Sequence, residues 1–442
     1  MKKMSRQEKS WILYDWANSV YSLVITTALF PIYFKAAAKE AGLSGATSTA
    51  YWGYANSFAT LLISILAPIL GTVADYKGFK KRFFTFFFGL GIVFTSMLAI
   101  VPTSQWYLLL GCYMLALVGF AGANIFYDAF LVDVTSGDRM DRISTRGFAL
   151  GYIGSTIPFI GCIALIILAQ KGTIPLSVGI ASQISFAITA LWWGLFTIPM
   201  LKNVEQTHYI ERHPRPIAMS FKRLANTFKN IKEYKTVFMF LIAYFFYIDG
   251  VDTIITMSTA YGTDLGISAT NLLIILFVTQ IVACPFALLY GKLSETFTGK
   301  KMLYVGIIIY IIICTYAYFL KTTFDFWILA MLVATSQGGI QALSRSYFAK
   351  LVPKESANEF FGFYNIFGKF AAIMGPVLVG VTTQLTGKTN AGVLSIIVLF
   401  IIGGFLLTRV PENDTSVTPP NPKTNIRERS PSHKKGIFLL YF

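Results

Sequence analysis

Charge is what this sequence has least of. Asp, Glu, Lys and Arg make up 13% of its 442 residues, hydrophobic residues make up 55%, and the mean hydropathy is +0.60. A soluble domain carries about twice that share of charge, so a water-surrounded globule is excluded and lipid is the natural solvent. Histidine is nearly absent, with three residues in all, which argues against a His-built metal site. The four cysteines, Cys112, Cys162, Cys284 and Cys314, each stand alone in an apolar run. Without CxxC or Cys/His spacing they read as small packing residues rather than metal ligands. No GxxxxGK[ST] stretch is present, and no strand precedes the glycine pairs Gly119/Gly122 and Gly151/Gly154. Nucleotide-driven chemistry and dinucleotide binding therefore find no support, and no cofactor and no enzyme activity are expected.

What is abundant is long apolar runs. Twelve stretches reach the length needed to cross about 30 Å of hydrocarbon, at 11–34, 51–74, 83–101, 106–134, 147–170, 178–200, 236–261, 270–291, 302–320, 325–348, 360–385 and 390–409. They lack period-2 alternation, so helices are expected rather than a barrel. The first resembles a secretory leader, with Lys2, Lys3, Arg6 and Lys9 before it, but it is too long and holds Asp15 and Asn18. The fold class expected is an all-α membrane protein of twelve helices in two bundles of six.

The net charge of +16 would suggest nucleic acid in a soluble protein. Here the basic residues are sorted by loop. Of 37 Lys and Arg, only Lys35, Lys39, Lys171, Lys321 and Lys388 fall on the side away from the termini. By the positive-inside rule both termini are expected in the cytoplasm, with no nucleic-acid partner. The longest internal loop divides the chain into a bundle at 1–200, a linker at 201–235, a second bundle at 236–410 and a polar, disordered tail at 411–442. Within the linker, Phe221, Leu224, Phe228 and Ile231 share a face flanked by Lys222, Arg223, Lys229 and Lys232. That pattern predicts an interfacial helix over Phe221–Tyr234, lying on an anionic membrane surface.

One loop occurs twice. Gly71, Asp75, Gly78, Lys80 and Lys81 follow span 2, and Gly291, Glu295, Gly299, Lys300 and Lys301 follow span 8, about half a chain later with one extra residue. Such spacing is that of two parallel six-span repeats, and Pro158 and Pro376 repeat at a similar interval. The glycine admits close helix contact. The acidic residue suits the N-terminal end of a helix in the other half, so the loop reads as a gate that latches the halves on one side.

At these loops the chain resembles the major facilitator superfamily, except that Tyr76 stands where a basic residue usually follows the Asp. A narrower set carries a second resemblance: Tyr14-Asp15-Trp16-Ala17-Asn18-Ser19, Arg146-Gly147-Phe148-Ala149-Leu150-Gly151-Tyr152, Asp249-Gly250-Val251, Gly338-Gly339-Ile340-Gln341 and Phe360-Phe361-Gly362-Phe363-Tyr364-Asn365. Together these are similar to the branch holding the autophagy-related vacuolar amino-acid effluxers and their bacterial relatives. The resemblance implies two bundles around a central cavity, alternating access, and amino acids or similar small solutes as substrate. It also implies a multi-pass protein of the cell membrane, or of the vacuolar membrane in a eukaryote.

Ionisable residues within spans are costly and mark function. Asp249 and Asp252, one turn apart in span 7, and Lys369 in span 11 are the candidates for proton coupling, with an Asp249–Lys369 ion pair expected. Asp15, Asp128, Arg142, Arg146 and Arg345 lie near the cytoplasmic ends and are expected to join the gate. Ser22, Thr26, Asn124, Thr253, Thr256, Gln337 and Gln341, on spans 1, 4, 7 and 10, are the expected cavity lining. The function expected is a secondary transporter of a small solute, monomeric and coupled to protons. The alternative is a membrane scaffold or sensor that kept the fold without transport.

Overall fold

The computed structural model describes residues 3–411, apart from 138, 212–215, 230–232 and 265. The tail from 412, and His213, Ile231 and Lys232 of the linker, lie outside the described residues. The described chain is helical, with one isolated parallel bridge between Tyr76 and Ile210.

Eleven helices are long and apolar enough to cross a membrane, and a bent pair at the start makes twelve. Span 1 runs Arg6–Ala28, then turns by 41° into Phe30–Glu40. It starts at a capping box, where Ser5 accepts from the Glu8 N–H and Glu8 reaches back to the Ser5 N–H. Its middle, Tyr21–Ala28, is a π-helix, the wide turn that often marks functional segments. Span 2 is Gly45–Ala74, span 3 Phe79–Leu98, span 4 Trp106–Val134 with a break at Phe130, span 5 Arg139–Gln170 and span 6 Val178–Asn203. Spans 7 to 11 are Lys235–Asp264, Ala269–Phe297, Gly299–Tyr318, Thr323–Leu351 and Ala357–Thr386, and span 12 is Thr389–Thr408 with a break at Ile396. Proline sits inside five of these helices, at Pro68, Pro158, Pro199, Pro285 and Pro376. Bundled neighbours re-satisfy the backbone groups that such residues release.

Spans 1 to 6 form one bundle and spans 7 to 12 the other. Within a bundle, packing depends on small residues. A Cβ on Gly119 would strike the backbone of Gly91, and one on Gly403 the backbone of Tyr247. Across the bundles, span 2 packs on span 11, and span 5 on spans 8 and 10. The outer half of span 1, from Tyr21 to Glu40, packs on spans 2, 4, 5 and 6 of its own bundle.

The linker departs from expectation. Its helix is Pro216–Lys229, starting five residues before the expected Phe221 and ending before Tyr234. Phe221 is exposed, as a membrane-facing residue would be, but Arg223 is turned inward against spans 2 and 11. Two carboxylates buried at the bundle junction attract this guanidinium more strongly than a surface does.

Candidate functional site: a closed gate beneath a polar cavity

The first gate loop locks the bundles together. At the end of span 2, Gly71 lies so close to span 11 that a Cβ would collide with the Asn358 carbonyl. Gly362 makes the reciprocal approach to the backbone of Ala67 and Pro68. Asp75, fully buried, accepts from the Asn358 backbone N–H at 2.9 Å and from the Asn358 Nδ2 at 2.9 Å. Asn358 is in the first turn of span 11, so the carboxylate of one bundle caps a helix of the other. Gly78 takes a left-handed φ of 78° at the turn into span 3, where other residues are strained.

Arg223 then adds what the loop lacks. Its guanidinium donates to the Asp75 carboxylate at 3.2 Å, the Glu359 carboxylate at 3.1 Å, the Ser356 hydroxyl at 3.3 Å and the Thr72 carbonyl at 3.3 Å. It also lies over the ring of Tyr76, 5.8 Å from its centroid. Burial pushes the Asp75 carboxyl up to about 7, with the Arg223 charge drawing it back and the Glu359 charge raising it further. The signal for this residue was the departure at Tyr76: a basic partner missing beside Asp75 had to come from elsewhere. Lys80 is fully buried and pairs with Asp133 at 2.6 Å, inside the first bundle. Lys81 is half-buried at the surface beside Lys77 and Arg82.

The second gate loop is looser. Gly291 again meets the other bundle, at the Thr145 side chain. Glu295 is half exposed and reaches Arg142 at 3.7 Å. The extra residue puts Thr298 at a positive φ of 70° just before Gly299. Lys300 donates to the Val410 carbonyl at 2.6 Å, within its own bundle. The buried acid on this side is Asp141, which accepts from the Ser346 hydroxyl at 2.6 Å and pairs with Lys350 at 2.7 Å.

Above both loops sits a third crossing. Arg345 of span 10 donates to Asp15 of span 1 at 3.0 Å, Asp128 of span 4 at 3.1 Å and the Ser144 carbonyl of span 5 at 3.1 Å. Trp11 and Phe148 cover its planar group, each with a centroid at 4.6 Å. Asp15, Asp128 and Arg345 are thus brought together. Arg142 belongs to the second loop, and Arg146 turns to the Met4 sulfur instead. All three crossings lie toward the face that carries the termini, and that face is closed.

Directly over Arg345 a cavity of about 260 Å³ opens between the bundles. Its polar wall is Asn124, Asp128, Asp252, Gln341, Arg345, Asn365 and Lys369. Span 11 contributes a full side of it, which the expected set of spans 1, 4, 7 and 10 omitted. Of the expected lining, Asn124 and Gln341 are present. Asn124 also accepts from Asn18 Nδ2 at 2.7 Å. Thr253 and Gln337 line a separate chamber inside the second bundle. Ser22 is exposed on the π-helix, the Thr26 hydroxyl is buried without a partner, and Thr256 is exposed while donating to the Asp252 carbonyl.

The expected Asp249–Lys369 pair is not formed. Three residues advance a helix by 300°, so Asp249 and Asp252 stand about 60° apart and meet different neighbours. Asp249 faces span 11 and accepts from the Gly375 N–H at 2.9 Å, next to Pro376, and from the Thr253 hydroxyl at 3.3 Å. Its Oδ2 is buried without a partner. Asp252 instead shares the central cavity with Lys369, which is exposed there.

Two bundles of six helices, closed against each other at one face around a polar cavity, define a transporter fold. Solved structures agree: the human organic anion transporter MFSD10 superposes with a TM-score of 0.68 at 12% identity, covering 91% of this chain and 99% of that one. The major facilitator transporter FucP in its outward conformation gives 0.64 at 14% identity, covering 92% and 98%. More particularly, the family model described as "Vacuole effluxer Atg22 like" matches residues 4–138 and 132–417, and the chain belongs to that family of major facilitator transporters. It is 64% identical over 416 residues to a Bacillus subtilis protein named "Uncharacterized MFS-type transporter YxiO", covering 94% of this chain and 97% of that one. It is 26% identical over 388 residues to autophagy-related protein 22 of Saccharomyces cerevisiae, covering 75% and 72%.

Proposed function

We propose that this transporter carries a small zwitterionic solute of the amino-acid type by alternating access, driven by protons, with both termini in the cytoplasm of a cell whose plasma membrane it spans. The observation that carries this reading is the pairing of an open carboxylate, Asp252, with an open ammonium, Lys369, in one cavity between the bundles. Asp252 suits the solute's ammonium, Lys369 its carboxylate, and the amides of Asn124, Gln341 and Asn365 its remaining hydrogen bonds. A volume of about 260 Å³ admits a solute of that size. The closed terminal face, with the cavity above it, is one end of the transport cycle. Opening it requires Arg345 and Arg223 to leave their carboxylates.

Asp249 is the proton carrier in this reading. A carboxyl oxygen buried without a partner is favoured when it carries a proton. Losing that proton changes the charge beside Pro376 of span 11, the helix that also bears Lys369.

Reconstituted liposomes test both parts. With an imposed pH gradient, the wild type is expected to accumulate at least one member of an amino-acid panel. Asp252→Asn and Lys369→Gln are expected to lose that solute's thermal stabilisation of the purified protein. Asp249→Asn is expected to retain solute exchange and lose accumulation driven by the gradient. Gradient-driven accumulation by Asp249→Asn overturns the proton assignment, and undiminished stabilisation in Asp252→Asn and Lys369→Gln overturns the solute site.

A further inference from the structure

The second bundle encloses a chamber of about 160 Å³, separate from the central cavity. All six spans of that bundle line it and no residue of the first bundle does. Met257, Leu272, Leu276, Phe326 and Val333 make most of the wall apolar. Apolar chambers of about 150 Å³ stay dry and take up benzene-sized molecules, so the size alone admits a single ring.

A second observation makes the chamber more than a packing void. Gln337, only 5% exposed, lines it, and the amide Nε2 is buried with no hydrogen-bond partner. Leaving such a donor unmade is costly, so in the native protein a water, an ion or a guest meets it. Thr253 and Thr279 line the same chamber, but their hydroxyls are committed: Thr253 donates to Asp249, and Thr279 to the Ile275 carbonyl of its own helix. Gln280 and Thr389 also line the chamber but are partly exposed, so Gln337 is the buried side-chain amide this wall offers to a guest.

We propose that this chamber is a binding site for a small apolar molecule, ring-sized and carrying one hydroxyl or carbonyl oxygen, anchored by the Gln337 amide. The guest's apolar body fills the space among spans 7, 8 and 10, and its oxygen meets the Gln337 side-chain amide. Because the site lies within one bundle, it does not depend on the assignment of the central cavity to a solute. It wedges the helix that carries Asp249 and Asp252 against the helix that carries Arg345.

Binding of 4-fluorophenol and of fluorobenzene to the purified full-length protein, read by fluorine NMR line broadening, tests the site. In the wild type 4-fluorophenol is expected to bind roughly tenfold more tightly than fluorobenzene, the size of one buried hydrogen bond. Gln337→Leu, which keeps the volume and removes the amide, is expected to erase that preference while still binding fluorobenzene. Ala330→Leu, which extends a lining residue into the chamber, is expected to abolish saturable binding of both. Unchanged binding by Ala330→Leu overturns the site, since the probes then partition into detergent. An undiminished preference in Gln337→Leu overturns the anchor. If Ala330→Leu does not fold, the Gln337→Leu comparison decides alone, because only a guest held at this amide loses its preference there.

Discussion

The two gate loops share a sequence pattern and differ in what surrounds it. In the first copy Asp75 is fully buried, caps span 11 and shares Arg223 with Glu359. In the second, Glu295 is half exposed and holds a single partner at 3.7 Å. The linker helix makes the difference: it joins the two bundles, passes beside the first copy and leaves a guanidinium there. The second copy has no such visitor among the described residues, and its buried acid, Asp141, is served by Ser346 and Lys350 of span 10. A repeat in sequence is thus not a repeat in energy. One junction is a lock whose charges are desolvated, and the other is closer to a wet hinge.

The largest test of that contrast is Arg223→Leu. It leaves Asp75 and Glu359 buried without their cation, a loss of about 3–5 kcal/mol. Arg142→Leu, the matching change at the second loop, is expected to cost less than about 1 kcal/mol because its carboxylate partner is half exposed and 3.7 Å away. Thermal unfolding of the two variants measures the gap, and equal losses break the comparison. A smaller effect follows from pH. The Asp75 carboxyl lies at about 7, above its ordinary value, so the closed face binds a proton more tightly than the opened one. Its contribution to closure is full below the ordinary carboxylate range and is lost as pH rises through about 7. The closed population, read as the distance between spin labels at Lys81 and Lys354, is expected to fall between pH 6 and pH 8. Asp75→Asn is expected to flatten that change.

These asymmetries were partly legible. Twelve spans, two bundles and the gate position of Asp75 follow from hydropathy and from glycine and acid spacing, which are local properties. The meeting of Asp15, Asp128 and Arg345 was also in reach, because charges near one end of neighbouring spans have few other partners. The inward turn of Arg223 is not legible, since a basic residue on an amphipathic helix looks the same whether it faces headgroups or a buried carboxylate. Only Tyr76, standing where a cation was due, pointed inward. Spacing alone puts Asp249 and Asp252 one turn apart and does not say which of them meets Lys369. A 60° difference in direction decides which neighbour each meets, and that depends on how span 7 is rotated against span 11. Gln337 and Thr253 lie on the expected spans but turn into the second bundle, because the face a helix presents is set by packing.

The smallest expected effect lies at the second loop itself. Glu295→Gln removes one charge from a pair in which the carboxylate is half exposed and 3.7 Å from Arg142. Water already reaches the Glu295 carboxylate, so the change is expected to stay within about 0.5 kcal/mol in thermal unfolding. It should also leave the spin-label distances of the closed face as they are. Gly291→Leu at the same loop is the informative contrast, because its side chain would have to displace Thr145 from a tight helix contact. If Glu295→Gln instead opens the face as far as Arg223→Leu does, the charge of the second loop carries as much of the closure as the first. The two copies are then equal locks, and the exposure of Glu295 is no guide to its weight.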